Sequence, residues 1–211
     1  MEGILDVLNS ELGKKVINGV SSSTGTDTGK TNSVLTMALP VLMKAMERNA
    51  ASPEGADGLM KALTHKHDGH ILDNLSGFFG GGVDDHMKQD GEKILGHVLG
   101  QKQQGVQQVL GQKAGLDSGA VGEILKVAAP ILMSFLGKQA KQQNVTSQNE
   151  VHNLIGGLLS GGSAKAEQSF LEQVLDADGD GSVVDDVAGM LLGNNKKKGG
   201  LGGMIGGLFG K

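Results

Sequence analysis

Cysteine, tryptophan and tyrosine are absent from this chain of 211 residues, and its only aromatic residues are five phenylalanines. Without cysteine, the chain has no disulfide bond, no thiol catalysis and no cysteine-ligated metal site. Five phenylalanines are too few for the aromatic platforms on which single-stranded nucleic acids stack. Arg48 is the only arginine, so we do not expect phosphate recognition by guanidinium groups. These shortages argue against a nucleic-acid partner.

The acidic charge of the chain is concentrated in one segment. The formal net charge is -4, from 19 basic and 23 acidic residues, and five of the aspartates lie between Asp176 and Asp186. The N-terminal segment carries an acid at Glu2 and no basic region, so we do not expect a secretory signal. No run of 18 apolar residues occurs, so we expect no membrane-spanning helix and a cytoplasmic location.

Two segments with similar sequences indicate an internal repeat. Residues 33–43 read SVLTMALPVLM, and residues 123–133 read EILKVAAPILM. The same offset of 90 positions also aligns a Gly-x-Asp-x-Gly pattern just upstream of each segment. We therefore predict one helical repeat over residues 1–89 and a second over residues 90–193.

Apolar residues at helical spacing predict an all-α fold, and no alternating run of β-branched and aromatic residues suggests a strand. Candidate helix caps occur where these apolar patterns begin. Asp27 or Thr28 can cap the first central helix, and Asp117 or Ser118 the second. Ser52 precedes a proline that suits a first helical position. Ser147 and Glu150 have the spacing of a capping box.

Each predicted central helix carries a proline in its interior. Residues 33–46 are apolar nearly all round, which indicates a helix that is buried on every side. Proline removes one backbone hydrogen bond and clashes with the preceding turn. Pro40 and Pro130 occupy matching places in the two copies, so we predict a kink at the same point in each helix.

Two short motifs resemble known sites, and a structural role is the stronger interpretation of each. Residues 25–31 have three residues between the glycines where a P-loop has four, and they follow a predicted helix instead of a strand. A loop that enters a capped helix accounts for them. His65, His67 and His70 could bind a transition metal if their loop folded suitably. The alternative is a solvated linker whose Asp68 caps a helix over residues 71–75.

The segment 176–187 matches the first half of an EF-hand loop. Asp176, Asp178 and Asp180 occupy relative positions 1, 3 and 5, and a glycine follows at position 6. Alternate side-chain oxygens can wrap a hard cation, and the glycine permits the sharp turn that follows. The backbone carbonyl at the next position, Ser182, would then point toward the ion.

The second half of this loop departs from the EF-hand pattern. Position 12 is Val187 instead of a bidentate glutamate, and Asp185 and Asp186 precede it. The alternative is a polar turn capped by Ser182 and Asp185. However, capping does not require five neighbouring carboxylates, whose mutual repulsion calls for a counter-charge. We therefore predict one Ca²⁺ site, closed by Asp185 in preference to Asp186, with these ligands: Asp176, Asp178, Asp180, Ser182, Asp185 and Asp186.

The last segment, residues 194–211, is rich in lysine and glycine. It contains four lysines and no acid, and its stretch 199–210 is too short to span a bilayer. Glycine lowers helix stability, so we predict a flexible tail. The alternative is that residues 196–211 bind a partner or an anionic membrane surface through their apolar side chains.

Several motifs together resemble the bacterial YidB-like family, a domain of unknown function. They are the paired ALPVLM and AAPILM helices and the segments HDGHILDNL, GEKILGHVLG and LDADGDGSVVDD. The resemblance covers most of residues 1–192. It implies an all-helical fold built from repeats, and it brings no established activity or substrate.

Taken together, these patterns predict a non-enzymatic protein. We find no nucleophile–base arrangement, and the Gly-x-Ser-x-Gly motif of serine hydrolases is missing. We expect a helical scaffold or interaction protein with one Ca²⁺ ion, which binds a protein partner or associates with itself. The alternative is a peripheral membrane protein that is anchored by the tail.

Overall fold

The computed structural model describes residues 3–81 and 83–160, and all regular structure in these two ranges is helical. The all-α prediction is therefore confirmed for this part of the chain. The predicted acidic loop at 176–187 and the tail at 194–211 lie outside the described residues. The helices are α1 (Ile4–Asn9), α2 (Glu11–Thr24), α3 (Thr28–Asn49), α4 (Pro53–Lys61), a π-helix (Ala62–Lys66), α5 (His70–Asp73), α6 (Leu75–Gly80), α7 (Asp85–Leu99), a 3₁₀ turn (Gly100–Lys102), α8 (Gln103–Ala114), α9 (Ser118–Gln142) and α10 (Gln148–Ser160).

Helix α9 lies at the centre of the core. It contacts α2, α3, α5, α7, α8, α10 and the π-helix, and its residues 127–137 are all buried. Among the described helices, α9 is the one that is long and apolar enough to cross a membrane by length and composition. However, 78% of its most apolar stretch is buried inside the protein. The packing around α9 thus accounts for its apolar sequence, because a helix that is apolar all round is buried on every side.

Helix α3 is the second long core helix, and it contacts α9. Its residues 38–43 are buried without a break, but Ser33 and Thr36 are exposed, so the burial predicted for residues 33–46 holds only in part. Both helices run on past their prolines, Pro40 and Pro130, so neither residue ends its helix. The kink predicted at these positions stays a prediction.

The predicted N-caps are confirmed. The side chains of Asp27, Asp117 and Ser52 accept hydrogen bonds at 3.0, 2.9 and 3.1 Å from the backbone N–H three residues further on. Ser147 and Glu150 form the predicted capping box, in which each side chain accepts from the other's backbone N–H, at 3.4 and 2.9 Å. These bonds satisfy N–H groups that the first helical turn leaves without partners.

The helix predicted at residues 71–75 is different in the structure. It is only one turn long, α5, and its N-cap is Gly69 instead of Asp68. The Asp68 carboxylate accepts from the backbone N–H of His70 at 3.3 Å and lies 2.8 Å from the ring Nδ1 of the same residue. Asn74 then caps a separate helix, α6, which divides the predicted helix in two.

Candidate functional site

The residues predicted to bind Ca²⁺ all lie outside the described part of the chain, so their site stays a prediction. They are Asp176, Asp178, Asp180, Ser182, Asp185 and Asp186.

The segment that resembles a P-loop is a helix entry. Gly25 ends α2 with φ 66°, and Asp27 then caps α3 through the backbone N–H of Lys30. A P-loop needs its free N–H groups to hold phosphate. The structural interpretation of residues 25–31 is therefore supported.

The three clustered histidines have different environments. His65 and His70 are exposed, whereas His67 is buried with 3% of its surface accessible. Nowhere in residues 3–81 and 83–160 do three histidine, aspartate or glutamate side chains form a group that could hold a metal ion. The metal interpretation of this patch has no support from the geometry.

Buried His67 instead lines a cleft of about 620 Å³. The cleft is formed by the C-terminal end of α3, by α4, by the π-helix, by α7 and by one side chain of α9. Its lining is Met46, Arg48, Asn49, Ser52, Glu54, Gly55, Gly58, Leu59, Ala62, Lys66, His67, Asp90, Lys93, Ile94, His97, Val98 and Met133.

The π-helix and a glycine of α9 place His67 in this lining. The backbone N–H of His67 donates to the carbonyl of Ala62, five residues back, at 2.9 Å. Such single π-turns occur frequently at functional sites. On the other side, a Cβ at Gly137 would lie 1.7 Å from the carbonyl oxygen of His67. The backbone at His67 can therefore approach α9 this closely only because residue 137 is glycine.

Asp90 faces both His67 and Lys66. Its carboxylate forms an ion pair with Lys66, and its Oδ2 lies 3.6 Å from Nε2 of His67. Burial lowers the pKa of His67 below its ordinary value of 6.5, and the nearby Lys66 and His70 act in the same direction, against the attraction of Asp90. His67 is thus neutral near pH 7. Its Nδ1 is buried without a hydrogen-bond partner.

Helix α7 adds a mixed face to the cleft. Lys93 and His97 are one helical turn apart and exposed, while Ile94 is buried beside them. Asn49, at the end of α3, donates from Nδ2 to the carbonyls of His97 at 3.0 Å and Val98 at 3.2 Å. These two bonds fix the end of α3 against the end of α7.

One hydroxyl group lies in the lining of the cleft. Ser52 supplies a hydroxyl to the lining, but this group donates to the carbonyl of Asn49 at 3.2 Å and caps α4. It is therefore held as a structural cap and is not paired with a base. The remaining polar groups are the Asn49 amide, cations, carboxylates and imidazoles beside apolar side chains.

Sequence reasoning did not identify this cleft. His67 belongs to the histidine patch in the sequence, and the cleft forms only where the consecutive elements α3, α4 and the π-helix meet α7 and α9, which are distant in sequence. One local signal was present: Lys93 and His97 share a helix face with the apolar Ile94 and Val98. That pattern is common on amphipathic helices, so it could not distinguish a cleft from an ordinary surface.

Residues 6–139 match the model of a family described as a bacterial protein of unknown function (DUF937). This match agrees with the resemblance to the YidB-like family and covers well over half of the chain. No curated protein and no solved structure matches the chain.

Proposed function

The chain belongs to the bacterial DUF937 family, whose function is unknown, and from that premise we propose that it is a non-enzymatic helical scaffold or interaction protein. In this proposal one Ca²⁺ ion binds the loop at 176–187, and the protein binds a protein partner or a second copy of itself. A cytoplasmic location is part of the same proposal.

The acidic loop is the observation that carries this proposal. Asp176, Asp178 and Asp180 would supply side-chain oxygens, and Ser182 its backbone carbonyl. Asp185, or Asp186 in its place, would close the shell where an EF-hand uses a glutamate. Calcium accepts six to eight oxygen ligands in flexible geometry, so a shorter carboxylate at this point is compatible with binding.

The helical body supports a scaffold because its core is continuous. Buried side chains from α1 to α10 form one hydrophobic cluster around α3 and α9. The end of this body, α10, packs against α3, α4 and α9. A body with one continuous core of this kind suits a scaffold.

We further propose that the body is a duplicated unit, with one copy in residues 1–89 and the other in 90–193. Two helix pairs support this, α2 with α3 and α8 with α9. The first helix of each pair ends at a glycine with positive φ, 66° at Gly25 and 64° at Gly115. An aspartate two residues later caps the second, proline-containing helix in both cases. Lys30 Nζ also donates to the carbonyl of Gly115 at 3.0 Å, which joins the two pairs.

The alternative function is peripheral membrane association through residues 196–211. Four lysines without an acid would attract an anionic surface, and the apolar side chains between the glycines would enter it. This alternative needs no Ca²⁺ and no protein partner.

Affinity capture of the tagged full chain, with lysate fractionation, separates these two functions. We expect the wild-type protein in the soluble fraction, with a partner or a second copy recovered in Ca²⁺ and lost in EGTA. The double variant Asp178→Asn/Asp180→Asn should lose that recovery, whereas Asp57→Asn, an exposed acid of α4, should keep it. Recovery that is the same in Ca²⁺, in EGTA and in the double variant would contradict the scaffold proposal. Recovery in membranes that is lost on deletion of residues 194–211 would favour the alternative.

A further inference from the structure

The cleft beside His67 has the dimensions of a small-molecule site. Its volume of about 620 Å³ lies within the range of about 300–1,000 Å³ that is typical of ligand pockets. The apolar part of its lining comes from α3, α4, α7, α9 and the π-helix: Met46, Leu59, Ala62, Ile94, Val98 and Met133. These side chains offer a surface to the apolar body of a ligand.

The charged part of the lining has more cations than anions. Arg48, Lys66 and Lys93 face Glu54 and Asp90, and the Lys66 charge is already paired with Asp90. Within the described residues, the side chain of Lys93 has no hydrogen bond or ion pair. Its ammonium group is therefore available to a negative group that enters the cleft.

His67 closes the inner side of the cleft and makes no direct contact with a ligand. Its side chain is only 4% exposed, and its Nδ1 is shielded from solvent, so a group in the cleft does not reach that atom.

We propose that this cleft binds a small amphipathic organic anion, whose single carboxylate or phosphate headgroup pairs with Lys93 and whose apolar body packs against Leu59, Ile94 and Val98. A neutral ligand would form no ion pair with Lys93, and a cation would be repelled by the charge of Lys93.

Isothermal titration of the full chain with three eight-carbon probes tests this proposal. Octanoate and octyl phosphate carry the two headgroups, and octanol carries neither. We expect saturable binding of at least one anion, with octanol at least about tenfold weaker. The tighter of the two anions identifies the headgroup.

Two pairs of variants test the location. Lys93→Gln should weaken binding of the better anion about fivefold, a loss typical of one exposed ion pair, while Lys88→Gln on the same helix should leave binding unchanged.

Gly58 lines the cleft, and a Cβ there meets no atom within 4 Å. Gly58→Leu should therefore fold and fill the cleft, which abolishes binding. Gly96→Leu, at an equally open position of α7 outside the lining, should bind as wild type does.

Three results would overturn the proposal. The first is no binding of either anion at about 2 mM by a folded chain. The second is equal binding of octanol and the anions, which would mean an apolar cavity without a site for charge. The third is undiminished anion binding by a Gly58→Leu variant whose helical circular dichroism equals that of the wild type.

Discussion

At the scale of single residues, His67 is the side chain whose environment differs most from what the sequence suggested. As one of three clustered histidines it looked like a candidate metal ligand or a residue of a solvated linker. In the structure it is buried, and its neighbours His65 and His70 are exposed. No sequence rule could have separated the three, because the burial of His67 depends on Gly137, which is distant in sequence.

The lowered pKa of His67 makes stability depend on pH. Its ordinary pKa of 6.5 applies in the unfolded chain, and burial lowers the pKa in the folded chain. The unfolded state then binds more protons as the pH falls below about 6.5, so the free energy of unfolding decreases from there until the pH reaches the folded-state pKa. Urea unfolding at pH 7.5 and at pH 5 should show this loss.

The matched control for this dependence is a histidine on the surface. His67→Gln removes the titrating group, so we expect a smaller loss of stability between pH 7.5 and pH 5 than in the wild type. His86→Gln, at an exposed position of α7, should keep the wild-type loss. If the two variants lost equal stability over this range, His67 would not be the group responsible.

At the scale of secondary-structure elements, most local signals were reliable, although the helix at 71–75 and its cap at Asp68 were predicted wrongly. Helix type, the caps at Asp27, Ser52 and Asp117, and the capping box at Ser147 were all predicted, because each depends on residues within one turn. The π-helix was not predicted. Its residues have no distinctive composition, and its widened turn results from the packing of His67 and Leu63 against Gly137 of α9.

Two glycines of α7 give opposite predictions within one helix. A Cβ at Gly91 would lie 1.9 Å from the backbone oxygen of Lys126, whereas a Cβ at Gly96 meets no atom within 4 Å. Gly91→Ala must move α7 away from α9, so we expect a loss of about 1–3 kcal/mol in the free energy of unfolding. Gly96→Ala should raise it by up to about 1 kcal/mol, because alanine favours the helix.

Chemical denaturation measures both variants under the same conditions. The informative quantity is the difference between the two changes in the free energy of unfolding. The general effect of replacing glycine by alanine in a helix is common to both variants and cancels in that difference. A Gly91→Ala protein as stable as Gly96→Ala would mean that α7 and α9 are further apart than the structure places them.

At the scale of the whole molecule, the sequence predicted the helical class and the two long apolar helices, because apolar periodicity reports burial directly. It could not predict the cleft, which exists only once α3, α4, α7 and α9 are assembled. The acidic loop, in contrast to the cleft, can be recognised from the sequence alone. Its ligand pattern is local and is read from twelve consecutive residues, and its chemistry is the centre of the proposed function.

Calorimetric titration of the full chain with Ca²⁺ tests the proposed calcium site most directly. We predict saturable heat with one Ca²⁺ per chain, no heat for Asp178→Asn/Asp180→Asn, and wild-type binding for Asp57→Asn. Asp185→Asn should weaken binding more than Asp186→Asn if Asp185 closes the shell. No heat at millimolar Ca²⁺, or binding that is unchanged in the double variant, would contradict the calcium site.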